Sequence, residues 1–190
     1  WEVKAVLDKD KEEVYLRPLV KGDLRHMAAW DQDAEIGYFF GFDTDDSSIT
    51  YQERCAELLG QSNNRLWAIE TEEAGFIGEV ELNQISWRTR EAEVKICIGN
   101  PAYRGLGFGT QALKLALVAA FKELRLKRVY LRVYQYNTRA LRCYIRCGFK
   151  KEAVLRNRYR YGGQNRDIYL MYIDHKMFKE RARFCSNTIN

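Results

Sequence analysis

Two periods divide the chain: strict alternation of apolar and polar residues, and apolar residues recurring at helical spacing. Residues 14–20, VYLRPLV, read as a short strand. GDLRHMAAWDQD follows as a helix, with Asp23 at its N-cap and Leu24, Met27 and Ala28 on one face. SSITYQERCAELLG, 47–60, reads as a second helix that starts near Ser47 or Ser48 and stops at Gly60. RLWAIE at 65–70 and GFIGEVELNQISW at 75–87 are strands joined by a TEEAG hairpin turn. In EAEVKICIG, 91–99, Ala92, Val94, Ile96 and Ile98 face one way.

The second half is ordered differently. Leu113, Leu117, Ala120, Phe121 and Leu124 form a helical stripe. RVYLRVY, 128–134, alternates as a strand, and NTRALRCYIRCG is a helix capped by Asn137 and closed by Gly148. RDIYLMYID, 166–174, is a last strand after a turn at Tyr161–Gln164. Antiparallel-looking strands followed by strand–helix–strand units predict an α+β fold.

Composition narrows the class. The chain has 190 residues, 46% of them hydrophobic, with two prolines and no linker-like stretch or internal repeat. That predicts one domain over 1–190 with a real core. No apolar run approaches the roughly 18–20 residues of a membrane span. The charged N-terminus lacks a signal-peptide apolar region, and five cysteines without regular spacing read as reduced thiols of a cytoplasmic protein. Cys143 and Cys147 sit one helical turn apart with no further ligand near them, so no metal site is predicted. A net charge of +5 suits a phosphate-bearing ligand and argues weakly for nucleic acid. RNRYRYGGQNR, 156–166, mixes Arg and Tyr as RNA-stacking segments do, but reads better as a strand with a Gly-Gly turn.

The candidate chemistry lies in AYRGLGFGTQ, 102–111. Glycines followed by a helix start expose N–H groups that suit a phosphate. A P-loop is excluded, because Thr110 follows Gly109 with no lysine between them. A Rossmann fingerprint is excluded by the spacing of Gly105, Gly107 and Gly109. Arg104, Gly107 and Gly109 fit Arg/Gln-x-x-Gly-x-Gly/Ala. A glycine-rich helix entry with no ligand role fits the same residues.

This loop resembles the pyrophosphate loop of the GNAT N-acetyltransferase superfamily. Asn137, Ala140, Tyr144, Gly148 and Phe149, about thirty residues on, resemble the family's next signature. The likeness spans roughly 13–178, and the tail looks most like the branch of RimJ/RimL-like ribosomal-protein N-terminal and spermidine N-acetyltransferases. It implies a twisted, mostly antiparallel mixed sheet, flanked by helices and splayed into a V between strands 91–99 and 128–134. It implies acetyl-CoA as donor, with Arg104, Gly105, Leu106, Gly107, Phe108, Gly109 and Thr110 around the pyrophosphate and Asn137 and Ala140 along the pantetheine. Backbone groups at Cys97 and Ile98 would hold the thioester, and Tyr144 would give a proton to the departing thiolate. Reaction would be direct attack by a primary amine, with Glu81 or Glu93 as base, each of which also reads as part of a solvated strand face. His26 and His175 read as ordinary packing residues. The acceptor would be set by Trp30–Gly60, whose Asp31, Asp33, Glu35, Asp43, Asp45 and Asp46 stand among aromatic residues. That mixture suits a polyamine, another small cationic amine or a protein N-terminus. A silent coenzyme A-binding sensor is the alternative, and a monomer or homodimer is expected.

Overall fold

The computed structural model describes residues 3–4, 13–40, 50–161 and 164–186. One sheet organises them. Its strands are β1 (Val3–Lys4), β2 (Val14–Pro18), β3 (Arg65–Thr71), β4 (Gly75–Ser86), β5 (Glu91–Ile98), β6 (Arg128–Tyr134), β7 (Lys150–Tyr161) and β8 (Gln164–Asp174). The helices are α1 (Leu24–Met27), α2 (Ala34–Phe40), α3 (Tyr51–Leu58), α4 (Phe108–Val118), α5 (Thr138–Cys147) and α6 (His175–Ser186). Strand order is β1-β2-β3-β4-β5-β6-β8-β7. Every neighbouring pair is antiparallel except β5–β6. The expected α+β class and mixed, mostly antiparallel sheet are present.

The period-2 pattern separates two apolar layers. Ala92 and Val94 of β5 join Val80 and Leu82 of β4 under the Leu113, Ala116 and Leu117 face of α4. Cys97, on the other face, packs with Leu66, Ala68, Met27, Trp30 and Ile36. The second layer holds the region before β3 against the sheet. It needs glycine at 99, because a Cβ there would lie 1.7 Å from the Trp30 ring.

β5 and β6 pair over only three residues each, Glu91–Glu93 with Arg128–Tyr130. Beyond them the strands separate, as expected from the resemblance. The lateral edge of β5 from Val94 onward faces a gap rather than a neighbouring strand, and that gap becomes the cleft described below.

Several local expectations change. Asp23 does not cap α1 with its side chain. Its carboxylate accepts from both Arg17 Nη atoms at 2.7 and 2.8 Å and from the Val20 N–H at 2.9 Å, so it fastens the preceding 3-10 turn to β2. α3 starts later than expected. Thr50 is its N-cap, in a capping box with Glu53, and Ser47 and Ser48 lie outside the described residues. The long stripe after the glycine loop ends in a π-helical turn at Ala119–Glu123. Asn137 and Gly148 behave as expected: Asn137 Oδ1 accepts from the Ala140 N–H at 3.0 Å, and Gly148 closes α5 at φ 99°. The Arg/Tyr tail is the β7–β8 hairpin, with Tyr159 opposite Arg166, while Gly162 and Gly163 lie outside the described residues. His26 sits against Phe76 and His175 against Phe121, both as packing residues.

Candidate active site

A cleft of about 790 Å³ opens between β5, β6, α4, α5 and α2. At one end is the glycine loop. Gly107 is the N-cap of α4 at φ 103°, a conformation that favours glycine. Its carbonyl accepts from the Thr110 and Gln111 N–H groups at 2.9 and 3.1 Å. The N–H groups of Phe108 and Gly109, in the first turn, have no preceding helical carbonyl to bond and can receive an anion. A Cβ at Gly107 would meet nothing within 4 Å, and one at Gly109 only Ile98 Cγ1 at 3.6 Å. Both glycines line the cleft, so a larger residue there would intrude on its ligand rather than on the protein.

The expected loop residues separate into groups. Gly105, Gly107, Gly109 and Thr110 line the cleft. The Phe108 side chain is buried against Tyr103, and Leu106 is 59% exposed, so only their backbones can serve a ligand in the cleft. The Thr110 hydroxyl donates to Cys143 Sγ at 3.4 Å.

Arg104 is not available to a phosphate in the way expected. Its guanidinium donates to Ile98 O and Gly99 O at 2.8 and 2.6 Å. It also donates to Glu35 and Asp33, both at 2.7 Å. Four acceptors fold it inward, and the side chain is 7% exposed. Its role is to brace the loop against α2. The hydrogen bond from Arg104 holds the Asp33 carboxyl below the ordinary carboxylate range.

Along the middle of the cleft run Ile96, Cys97 and Ile98 on one wall and Asn137, Ala140 and Tyr144 on the other. The β5 wall offers backbone groups that can pair with an extended amide chain as a strand would. Tyr144 is buried, and its ring lies 5.9 Å from that of Phe149. Burial pushes its phenol well above the ordinary range, helped by the charges of Cys143, Cys147, Cys97 and Glu93. The hydroxyl therefore stays protonated at neutral pH and is placed to act as an acid rather than as a base. Asn137 has committed its oxygen to the helix cap, which leaves its amide NH₂ for a ligand.

Cys143 also lines the cleft. A hydrogen bond with Cys147 lowers its thiol below the ordinary range, against the effect of burial, with Thr110, Arg146 and Lys114 adding in the same direction. Cys147 is pushed the opposite way by the same bond. Neither cysteine was foreseen with a shifted thiol.

At the far end the two candidate bases diverge. Glu93 lines the cleft, is 1% exposed, and accepts from Arg132 Nε and Nη2 at 2.7 and 2.8 Å. Glu81 does not line it. It is buried beneath Arg54, whose Nη1 reaches both of its oxygens at 2.8 and 2.9 Å, and it also accepts from Asn83 at 2.9 Å. The solvated strand face offered for these residues in sequence is not what forms: Glu79, Glu81 and Glu93 are all buried.

From the Trp30–Gly60 segment, expected to cover the open end of the V, Glu35, Ile36, Phe39 and Arg54 line the cleft, with Glu35 beside the glycine loop through Arg104. Glu35 bridges Arg104 on the loop side and Arg139 on α5, each at 2.7 Å. Tyr38, Tyr134 and Tyr136 cluster behind it, with ring separations of 4.5 and 5.3 Å to Tyr136. Asp43, Asp45 and Asp46 lie outside the described residues.

Comparison with known proteins meets this geometry. A spermidine N(1)-acetyltransferase from Escherichia coli (strain K12) is 31% identical over 162 residues, covering 84% of this chain and 85% of that protein. A spermidine N-acetyltransferase from Vibrio cholerae, solved in complex with CoA and spermine, superposes with a TM-score of 0.77 at 29% identity, over 87% of this chain and 98% of that one. A dodecameric structure of the Vibrio cholerae enzyme gives a TM-score of 0.72 at 27% identity, over 88% and 97%. Residues 13–150 match the acetyltransferase (GNAT) domain family. The chain belongs to that family and is an acetyl-CoA-dependent N-acetyltransferase rather than a silent coenzyme A-binding module.

Proposed function

We propose that the protein acetylates a primary amine of a polyamine, using the cleft between β5 and β6. The observation that carries this reading is what one cleft brings together: the anion nest, the open β5 edge with Tyr144 lining the same cleft, the Glu93 carboxylate, and Glu35 and Phe39 of α2. The likeness to spermidine N-acetyltransferases over most of both chains supports a polyamine acceptor. Carboxylates and aromatic rings in the cleft lining suit a flexible polycation.

In this reading the first-turn N–H groups of α4 hold the donor pyrophosphate, and the β5 edge aligns the pantetheine. The Cys97–Ile98 backbone is where a donor to the acetyl oxygen is available. Glu93 receives the ammonium proton, directly or through water. The free amine adds to the carbonyl carbon, a C–N bond forms and the C–S bond breaks. The thiolate takes the Tyr144 proton, and the adduct's remaining N–H proton is returned to the phenolate or to solvent. The likeness to a dodecameric enzyme favours an assembly larger than the expected monomer or homodimer, which sedimentation velocity measures.

The test is thiol release from acetyl-CoA against spermidine, spermine, an aminoglycoside and a peptide with a free N-terminus. Turnover on the two polyamines that exceeds the others in kcat/KM by at least about tenfold is expected. A preference for the peptide or the aminoglycoside overturns the acceptor assignment.

A further inference from the structure

The parallel ladder of β5 and β6 ends at Glu93, opposite Tyr130. Arg132 is the next residue of β6 on the same face as Tyr130. It lies past the last pairing, where the two strands have parted. Its guanidinium reaches back across the fork to the Glu93 carboxylate, Nε to Oε1 at 2.7 Å and Nη2 to Oε2 at 2.8 Å. Both residues line the cleft. The neighbouring cations of that wall are directed elsewhere: Arg54 Nη1 and Lys95 Nζ reach Glu81, at 2.8 and 3.8 Å.

The pair is lopsided. The Glu93 side chain is 1% exposed and that of Arg132 is 51% exposed. A carboxylate in so dry a place needs a counter-ion to stay charged. The guanidinium supplies it from the wet side of the cleft. For charge alone one contact would do. Two parallel donors, one to each oxygen, also fix the plane of the carboxylate. Each oxygen uses one acceptor position on the guanidinium and keeps another. Those remaining positions are the ones an incoming ammonium can use.

We infer that Arg132 is a positioning residue for the transfer step, holding the Glu93 carboxylate in the orientation that receives the acceptor's proton. The proton moves from the ammonium nitrogen to a Glu93 oxygen, leaving a neutral amine and a carboxylic acid. Arg132 keeps its own proton throughout, since the hydrogen bond to Glu93 raises its already high proton affinity. It acts through Glu93 and need not touch the reacting atoms. The inference rests on the assignment of Glu93 as the base, and not on which amine is the acceptor.

The experiment is a double-mutant cycle on Arg132→Gln and Glu93→Gln, repeated with Arg132→Lys in place of Arg132→Gln. It is read by single-turnover transfer from acetyl-CoA to spermidine, or to whichever amine of the panel above turns over best. Acetyl-CoA affinity and thermal melting are measured for each variant. Arg132→Gln should slow transfer by roughly tenfold to a hundredfold. Acetyl-CoA affinity should change by no more than about threefold, and KM for the amine should not rise, because a like charge has left the cleft. Melting should fall too, since a buried carboxylate loses its counter-ion, so the rate decides and not the melting temperature. Arg132→Lys should recover part of the rate, because it restores the charge without the fork. In the Glu93→Gln background neither Arg132 variant should slow transfer by more than about a further twofold. A wild-type rate in Arg132→Gln overturns the inference, as does a loss of the same size with and without Glu93. A loss confined to acetyl-CoA affinity assigns the ion pair to holding the fork together and overturns it as well. Arg132→Lys gives the same decision in a protein that keeps its charge, should Arg132→Gln fail to fold. If Glu93→Gln alone transfers at the wild-type rate, Glu93 is not the base, and the inference falls with that assignment.

Discussion

Arg104 and Glu35 meet at 2.7 Å across 69 residues of chain, and their contact ties the anion nest to α2. The same guanidinium reaches Asp33 and two carbonyls, so removing it strips four acceptors at once. Asp33 and Glu35 keep some solvent, at 19% and 39% side-chain exposure, which reduces the penalty. Arg104→Ala should lose about 2 kcal/mol in urea unfolding. Arg104→Lys should recover only part, because one ammonium cannot span the four acceptors. The sign with pH follows from Asp33. Its folded carboxyl is held low by Arg104, so the stabilisation is complete above about pH 4 and is lost as pH falls through the lowered folded value. Arg104→Ala should flatten that acid-side loss, and an unchanged slope would remove Asp33 from the account.

Gly107 and Gly109 should separate folding from binding. Gly107→Ala forces a Cβ onto a residue at φ 103° and should cost about 1–2 kcal/mol. Gly109 is inside α4, and its Cβ would meet only Ile98 Cγ1 at 3.6 Å. Gly109→Ala should leave stability equal or raise it by about 0.5 kcal/mol, while weakening CoA binding by at least about tenfold. Thermal melts with and without CoA read both effects. A Gly109→Ala protein that binds CoA normally would show that the nest is not used at that residue.

How much of this was legible in sequence depends on how local the signal is. The Asn137 cap, the Gly148 stop and the alternation in β5 are set within a few residues and appear as expected. The short β5–β6 pairing came from the family resemblance, since no period reports where two strands part. Arg104 was assigned to the donor because its motif is local, whereas its partners Asp33 and Glu35 lie about seventy residues earlier. Glu81 was placed among candidate bases because its strand runs near the expected V. A position along the strand cannot show that Arg54, on a helix 27 residues before it, closes over that carboxylate. The shifted Cys143 thiol needs α4 and α5 in contact through Thr110, another non-local fact.

That thiol makes its own prediction. Lowered chiefly by the hydrogen bond with Cys147, Cys143 should be alkylated by iodoacetamide with a rate that rises at lower pH than the roughly 8.5 of an ordinary cysteine. Because Cys143 lines the donor cleft, CoA should slow the reaction and spermidine should not. Peptide mapping identifies the labelled cysteine. Cys147→Ala removes the donor and should move the profile upward, and a profile that stays in place would assign the shift to Arg146 and Lys114 instead.

Tyr144→Phe isolates the proton donor. The substitution keeps the ring against Phe149 and deletes only the hydroxyl, so acetyl-CoA binding should change by no more than about threefold. Proton transfer to the thiolate is lost, and kcat should fall by roughly 10²–10⁴. The pH profile supplies an independent check. The phenol is raised by burial, so the neutral, donating form persists through and beyond the ordinary range near 10. In wild type, kcat should therefore rise as the amine and its base deprotonate and then stay level to at least about pH 9.5. A descending limb between about pH 7 and 9 that vanishes in Tyr144→Phe would mean that the phenol ionises there, and that burial does not set its proton affinity.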